Sequence, residues 1–388
     1  MTLKRDRVFW AIALQVAVVN FYLGGFGPAQ PLLRTQQHTS LTIAGLHGTA
    51  MGIASILAGL FSPKLAHRFG RATTSWLGLA IFAVGIVMFV FSPPIQLTLV
   101  ATLITGFGTS TVVVAMVTQL SHHYPLQPSD AVSQASGISS VGYVCGTLAV
   151  GGIAATSFDW RFGLLLAVPF SLFLYLFTRS FIATEHVPDE AGPQTGRLNR
   201  KFWIGWIGFV ACISSEFATT FWAAALLRNR VGSGAALSTI CIVALGSGMG
   251  LGRWFGPISL KRLHVDNQLK AVLFVQFIGF ATLWFSHLLW LSLAALLAAG
   301  IGISMQFALA AQRLIGFSDG RPDLAIGRSS LGSGVAIATA PFLLGVLGDH
   351  LGISRAYLMV PVLIIIAFST IVAIPSADPT NDELSAVN

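Results

Sequence analysis

The sequence predicts an all-α membrane protein of twelve transmembrane helices arranged as two six-helix pseudo-repeats. Three observations carry this expectation: the composition, a recurrence of long apolar stretches, and matches between the two halves of the chain. Of 388 residues, 54% are hydrophobic and only 9% are charged, whereas soluble domains carry about a quarter charged residues. A hydrocarbon core of about 30 Å takes roughly 20 apolar residues of helix to cross. Stretches of that length recur from end to end, separated by short polar or Gly/Pro-containing turns.

The first stretch, residues 9–31, follows Lys4, Arg5 and Arg7. A cleavable signal sequence begins in the same way, but this run is long and lacks a small-x-small cleavage site, so it is read as a retained helix. The remaining spans fall at 43–61, 74–91, 97–120, 133–156, 162–182, 202–227, 236–258, 270–285, 290–311, 325–347 and 356–374. Cys145, Cys212 and Cys241 all lie inside spans, where packing as small apolar residues is the expectation.

Lys and Arg are retained on the cytoplasmic side of a membrane. With the N-terminus inside, nearly all basic residues fall at cytoplasmic ends, and only Arg34, Arg161, Arg228, Arg230 and Arg355 fall outside. The formal charge of +8 is thereby explained by topology and anionic lipid, with no reason to invoke nucleic acid. An even number of spans returns the C-terminus to the cytoplasm. The expected location is the inner (plasma) membrane, multi-pass, as a monomer.

The halves carry internal matches. Ala50-Met51-Gly52-Ile53 in span 2 pairs with Gly248-Met249-Gly250-Leu251 in span 8 at an offset of 198. Gly106-Phe107-Gly108 pairs with Gly300-Ile301-Gly302, and Arg161 with Arg355, at 194. The expected division is therefore an N-terminal half over 1–183, a cytoplasmic linker over 184–200 with Pro188, Gly192, Pro193 and Gly196, a C-terminal half over 201–376 and a polar tail over 377–388.

Residues 63–72, between spans 2 and 3, read Pro-Lys-Leu-Ala-His-Arg-Phe-Gly-Arg-Ala. With the Asp159-Trp160-Arg161-Phe162 turn into span 6, this resembles the major facilitator superfamily, whose signature loop reads Gly-x-x-x-Asp-Arg-x-Gly-Arg-Arg. Arg68, Gly70 and Arg71 fit; Pro63, His67 and Ala72 depart from the pattern, and its acidic residue is missing. Thr102 stands where the family often has an Arg in span 4, and the antiporter motif of span 5 keeps Gly137 and Gly146 without its Gly-Pro step. Glu216, Trp222 and Gly248-Met249-Gly250-Leu251-Gly252-Arg253 are similar to the fucose and hexose proton-symporter branch. The resemblance implies a twelve-helix fold, secondary transport by alternating access, an ion gradient in place of a cofactor, and Arg68, Gly70 and Arg71 as gating-loop candidates. Arg253, near the end of span 8, is a further gating candidate.

Glu216 is the one acidic side chain expected deep in a span, all others falling in loops, ends or the linker. A carboxylate there costs about 2.5–3.5 kcal/mol on insertion scales, or it takes up a proton and becomes neutral, which suits proton coupling. Its structural alternative is a buried Glu paired with an Arg or with hydroxyls. Cys212, Glu216, Thr219 and Thr220 share one helical face by spacing. Asn20, Tyr22, Tyr143, Thr219, Thr220, Trp222 and Gln306 are the substrate-binding candidates, with helix–helix hydrogen bonding as the alternative for the polar ones and interfacial anchoring for Trp222. The resemblance places spans 1, 4, 7 and 10 around the cavity, favouring Asn20, Glu216 and Gln306. His47, His122 and His123 are expected at membrane interfaces, with no metal-site spacing.

An intramembrane enzyme needs several acids, histidines or a metal cluster together, so no enzymatic activity is expected. A channel needs a lined pore. No phosphate-binding Gly-rich loop ending in Lys-Ser/Thr occurs, so ATP is not the energy source. Proton-coupled uptake of a small polar solute, export of a drug or metabolite by proton antiport, and a transport-inactive nutrient sensor stay open from sequence.

Overall fold

A lipid solvent leaves no partner for free backbone N–H and C=O groups, so the chain must satisfy them within helices. The computed structural model describes residues 3–181, 196–231 and 235–376. Most of the expected linker and the whole expected tail lie outside the described residues. Twelve helical spans run α1 Arg7–Gln37, α2 Leu41–Phe69, α3 Arg71–Phe91, α4 Ile95–His123, α5 Pro128–Ala154, α6 Arg161–Thr178, α7 Arg200–Val231, α8 Ala235–Leu260, α9 Val265–Phe285, α10 Leu289–Gly316, α11 Pro322–Leu351 and α12 Ile353–Ala373. Eleven are long and apolar enough to cross a membrane by length and composition, and α8 adds a twelfth of 26 residues.

The turns follow local chemistry. Asp6 caps α1 by accepting from the Phe9 N–H at 2.9 Å, and Ser40 caps α2 by accepting from the Ile43 N–H at 3.2 Å. Gly70, at φ 83°, closes α2 and opens α3, a conformation that a side chain would strain. Burial disfavours the Asp6 carboxylate, but hydrogen bonds from the Phe9 N–H, His123 and the Tyr124 hydroxyl outweigh it and hold Asp6 below the usual carboxylate range. Three spans read as continuous are broken: α6 at Leu166, α10 at Ser304 and Met305, α12 at Tyr357 and Leu358. At the α10 break the Ser304 hydroxyl donates to the Ile301 carbonyl at 2.6 Å, a local bond that competes with the helix ladder.

The duplication is visible in the element starts. Arg71 and Val265, Ile95 and Leu289, Pro128 and Pro322, and Arg161 and Ile353–Arg355 begin or sit in the first turn of corresponding helices, with 194 residues separating Arg71 from Val265 and Ile95 from Leu289. Close packing repeats in the same register: Gly85 abuts Thr105 and Gly279 abuts Ala299, while Gly108 abuts Phe82 and Gly302 abuts Gln276. The Ala50-to-Ile53 match at 198 is therefore one helical turn out of register. At 194, Ala54 answers Gly248, and these residues press on Gly106 and Gly300 respectively.

Apolar lipid gives no hydrophobic drive for helices to associate, so small residues set how closely they approach. Within the N-terminal half, a Cβ at Gly146 would overlap the Phe21 carbonyl, and one at Gly142 the Ala17 carbonyl, so α1 and α5 meet backbone to backbone. Gly146→Ala is expected to cost about 1–3 kcal/mol, read as a lowered thermal midpoint in detergent. Gly152→Ala, with nothing within 4 Å of the new carbon, is the neutral control.

The halves meet along two seams, α2 against α11 and α5 against α8. At the end remote from residue 3, Asp349 of α11 accepts from the Leu41 N–H at 2.9 Å, the Thr42 N–H at 2.8 Å and the Thr42 hydroxyl at 2.6 Å, capping the other half's α2. Thr49 donates to the Ala338 carbonyl at 2.8 Å. Towards the end that carries residue 3, the α2–α11 seam loosens: Gly52 presses on Ala338, but the nearest neighbour of a Cβ at Gly59 is Ser330 at 3.8 Å, and Gly327 faces open space. The α5–α8 seam stays tied there, through Ser133 donating to the Arg253 carbonyl at 3.4 Å and through Arg5, which donates to Gln134 of α5 at 2.9 Å and lies over the Trp254 ring of α8 at 5.2 Å.

Asp349→Ala removes the cap. At this exposed position the loss is counted modestly, about 1 kcal/mol or about a fivefold shift in population. Spin labels at His38 and Leu351 should show the long-distance population grow by that factor; an unchanged distribution means that the cap does not hold this end shut.

At the other end a buried ion pair joins three helices of the C-terminal half. Arg313 donates to Asp266 at 2.6 Å and to the Ile374 carbonyl at 2.7 Å, while the Ser376 N–H and hydroxyl donate to Asp266 at 2.8 and 2.5 Å.

Candidate functional site

Between the halves, α1, α2, α5, α7 and α8 line a partly open cavity of about 70 Å³. Glu216 reaches it from α7. The face of α7 that lines it is Glu216, Phe217, Thr220 and Phe221, four positions at the i, i+1, i+4, i+5 spacing of one stripe. Phe26 and Phe221 meet edge to face at 5.6 Å, joining α1 to α7 across the seam on the side of the Asp349 cap.

Asn20, Tyr143, Thr220, Glu216 and Arg253 are brought together here. The Asn20 amide nitrogen donates to the Val16 carbonyl at 3.2 Å, and the Thr220 hydroxyl donates to the Glu216 carbonyl at 3.0 Å. Tyr143 packs its ring on Gly246. Arg253 donates to the Ser140 hydroxyl at 3.1 Å, across the seam. Arg253 stands seven residues before the end of α8 at Leu260, so the side chain starts about 10 Å inside that end, and it lines the cavity.

Four other candidates are placed away from it. Tyr22 is fully buried within the N-terminal half against Phe26 and Phe82. The Thr219 hydroxyl donates to the Ser215 carbonyl at 2.7 Å, and the Thr219 carbonyl accepts from Tyr357. Thr219 and Cys212 therefore lie on the flank of α7 turned into its own half. Trp222 is buried with its indole N–H on the Pro341 carbonyl at 2.9 Å, so it anchors α7 to α11 and not to the interface. Gln306 follows the α10 break and is fully buried. It donates to Gln276 at 2.6 Å, and Gln276 donates to Ser215 at 3.2 Å, a network inside the C-terminal half.

The gating-loop candidates stand at the α2–α3 turn: Arg68 is exposed over the Phe69 ring, Gly70 makes the turn, and the Arg71 carbonyl accepts from Gln119 at 3.4 Å. His47 is corrected from an interfacial position to a fully buried one, between the Ala44 carbonyl at 3.2 Å and the Thr98 hydroxyl at 3.1 Å. Cys145 is exposed on the bundle and not packed, whereas Cys212 and Cys241 are buried. No group of three potential metal ligands occurs among the described residues.

Sequence reasoning missed Ser140, Phe26, Phe217, Phe221, Met51 and Met249. Ser140 was open to it, since Gly137, Ser140 and Tyr143 continue one face of α5 at helical spacing. The apolar members carry no such mark, because every span is apolar on most faces.

The fold and the cavity between two repeated halves define a polytopic membrane carrier. The family model described as Major Facilitator Superfamily matches residues 12–315, and the chain belongs to that superfamily. It is a secondary transporter that moves a solute across a membrane, without enzymatic chemistry. No curated protein matches the chain. Among solved structures it is similar to a bacterial homologue of the human lysosomal transporter Spinster, in an inward-facing and occupied conformation, at 13% identity and TM-score 0.72, over 95% of this chain and 97% of that one. It is also similar to a mutant of the nucleoside transporter NupG, at 14% identity and TM-score 0.74, over 93% of this chain and 99% of that one. These likenesses show the fold.

Proposed function

We propose that this transporter couples movement of a small solute to protons, with Glu216 as the proton-carrying group and alternating access between the two halves as the cycle. The observation that carries the reading is placement. Among the described residues Glu216 is the one acidic side chain lining the cavity, and its carboxylate has no ion-pair partner within 4 Å. A carboxylate so placed can be accommodated in low dielectric as the neutral acid and can ionise when the cavity wets, which is the alternation that coupling requires. The basic residues at the α2–α3 turn support placing that end, with both termini, in the cytoplasm, and the protein in the inner membrane. The test is solute-dependent proton flux in proteoliposomes loaded with a pH dye. A pH change on adding solute supports coupling, and solute accumulation without one sinks it. The direction of that change separates symport from the export reading.

A further inference from the structure

We infer that the transported solute is an organic anion, a carboxylate on an apolar body, and that Arg253 is the group that recognises it. This rests on the cavity being the transport site and deepens that reading.

Among the described residues Arg253 is the only basic side chain in the cavity wall. One of its nitrogens is spent on the neutral Ser140 hydroxyl at 3.1 Å, and among the described residues no carboxylate lies within 4 Å of the guanidinium. An arginine within a span is costly to insert and marks a functional position by default, and a guanidinium's parallel donors match a carboxylate in a two-pronged bond. The bond to Ser140, on the other half, fixes the side chain across the seam, where a solute must sit to sense both halves.

The rest of the wall selects against other chemistries. A polyhydroxylated solute needs several donors and acceptors, and the Asn20 amide nitrogen and the Thr220 hydroxyl each already donate one bond to a backbone carbonyl, leaving few free donors in the wall. A cation meets Arg253. What remains is apolar: Leu23, Phe26, Phe217, Phe221 and Met249 form a surface for an aromatic or aliphatic body. The second cleft, beyond the Phe26–Phe221 contact, has the same sign: it is lined by Arg34 and Arg228 with no acidic residue.

The anion also gives the proton a role. Ionised Glu216 is a like charge for an incoming carboxylate and competes for Arg253; protonated, it is neutral and leaves Arg253 to the solute. Tyr143 is the remaining titratable group in the wall. One proton on Glu216 and one carboxylate on Arg253 then cross together with no net charge.

The test uses three probes of one shape on the purified full chain: benzoate, benzyl alcohol and benzylamine, with hexanoate as an aliphatic acid. Binding is followed by thermal shift and calorimetry for wild type, Arg253→Gln and Arg253→Lys. Benzoate or hexanoate should bind, the alcohol and amine should not. Arg253→Gln should weaken the acid at least about tenfold with an unchanged ligand-free midpoint, and Arg253→Lys should restore part of the affinity. Binding of the amine or alcohol as tight as that of the acids, acid binding unaffected by Arg253→Gln, or no acid binding at millimolar concentration overturns the inference. Failure of the proton reading looks different: acid binding that depends on Arg253 but is the same at every pH and in Glu216→Gln. A proton signal evoked only by uncharged or cationic solutes leaves coupling standing and removes the anion.

Discussion

Glu216→Gln is expected to abolish proton-driven accumulation while leaving a folded protein that still exchanges solute. Glutamine keeps the shape and the hydrogen-bonding capacity of the protonated acid but cannot release a proton. One pH unit across the membrane is worth about 1.4 kcal/mol, so a carrier with one proton per solute sustains about a tenfold gradient per unit. The variant should bring inside and outside to equality and hold them there. Exchange of labelled for unlabelled solute needs only the protonated, loaded form to reorient, and should persist within a few fold of wild type. Little cost in stability is expected, because no ion pair to Glu216 is lost among the described residues. Undiminished accumulation in the variant removes Glu216 from the mechanism; loss of exchange together with accumulation makes it a structural or binding residue instead.

Asp266→Ala carries the largest expected effect on stability. Arg313 is 3% exposed and Asp266 4%, and their bond ties α9 to α10 while each partner also holds the chain after α12. Removing one partner leaves a buried charge uncompensated, at about 3–5 kcal/mol. The thermal midpoint in detergent should fall accordingly. Replacing both, as Asp266→Ala with Arg313→Met, removes the stranded charge and should recover much of the loss, because a well-packed apolar pair often matches a buried ion pair. A single variant as stable as wild type shows that the pair contributes nothing net.

Much of this architecture was legible in the sequence. All twelve spans were found because a bilayer demands long apolar runs and the chain separates them with polar turns. The helices run past the predicted ends, since α2, α4 and α7 carry polar turns such as His67-Arg68 and Arg228-Asn229-Arg230 beyond the hydrocarbon-length core. The breaks in α6, α10 and α12 were invisible, because apolar composition does not report backbone continuity. Among cavity residues Glu216 stood out by charge alone. Gln306 and Trp222 did not separate from it, since which face of an almost uniformly apolar helix turns inward is set by neighbours such as Gln276 and Pro341, distant in sequence. The end of α8 was read to within two residues, at 258 against Leu260, but that Arg253 faces the cavity depends on which side of α8 meets α5, through Ser140.

The unequal seams set the form of the movement available to the molecule. With α5 and α8 tied by Ser133, Arg253 and Trp254 where α2 and α11 pack more loosely, the two halves resemble covers hung on a spine, not a pair of jaws. A slight flexing at such a spine is multiplied at the fore edge. Arg253 sits on the spine itself, bonded to Ser140 of the other half.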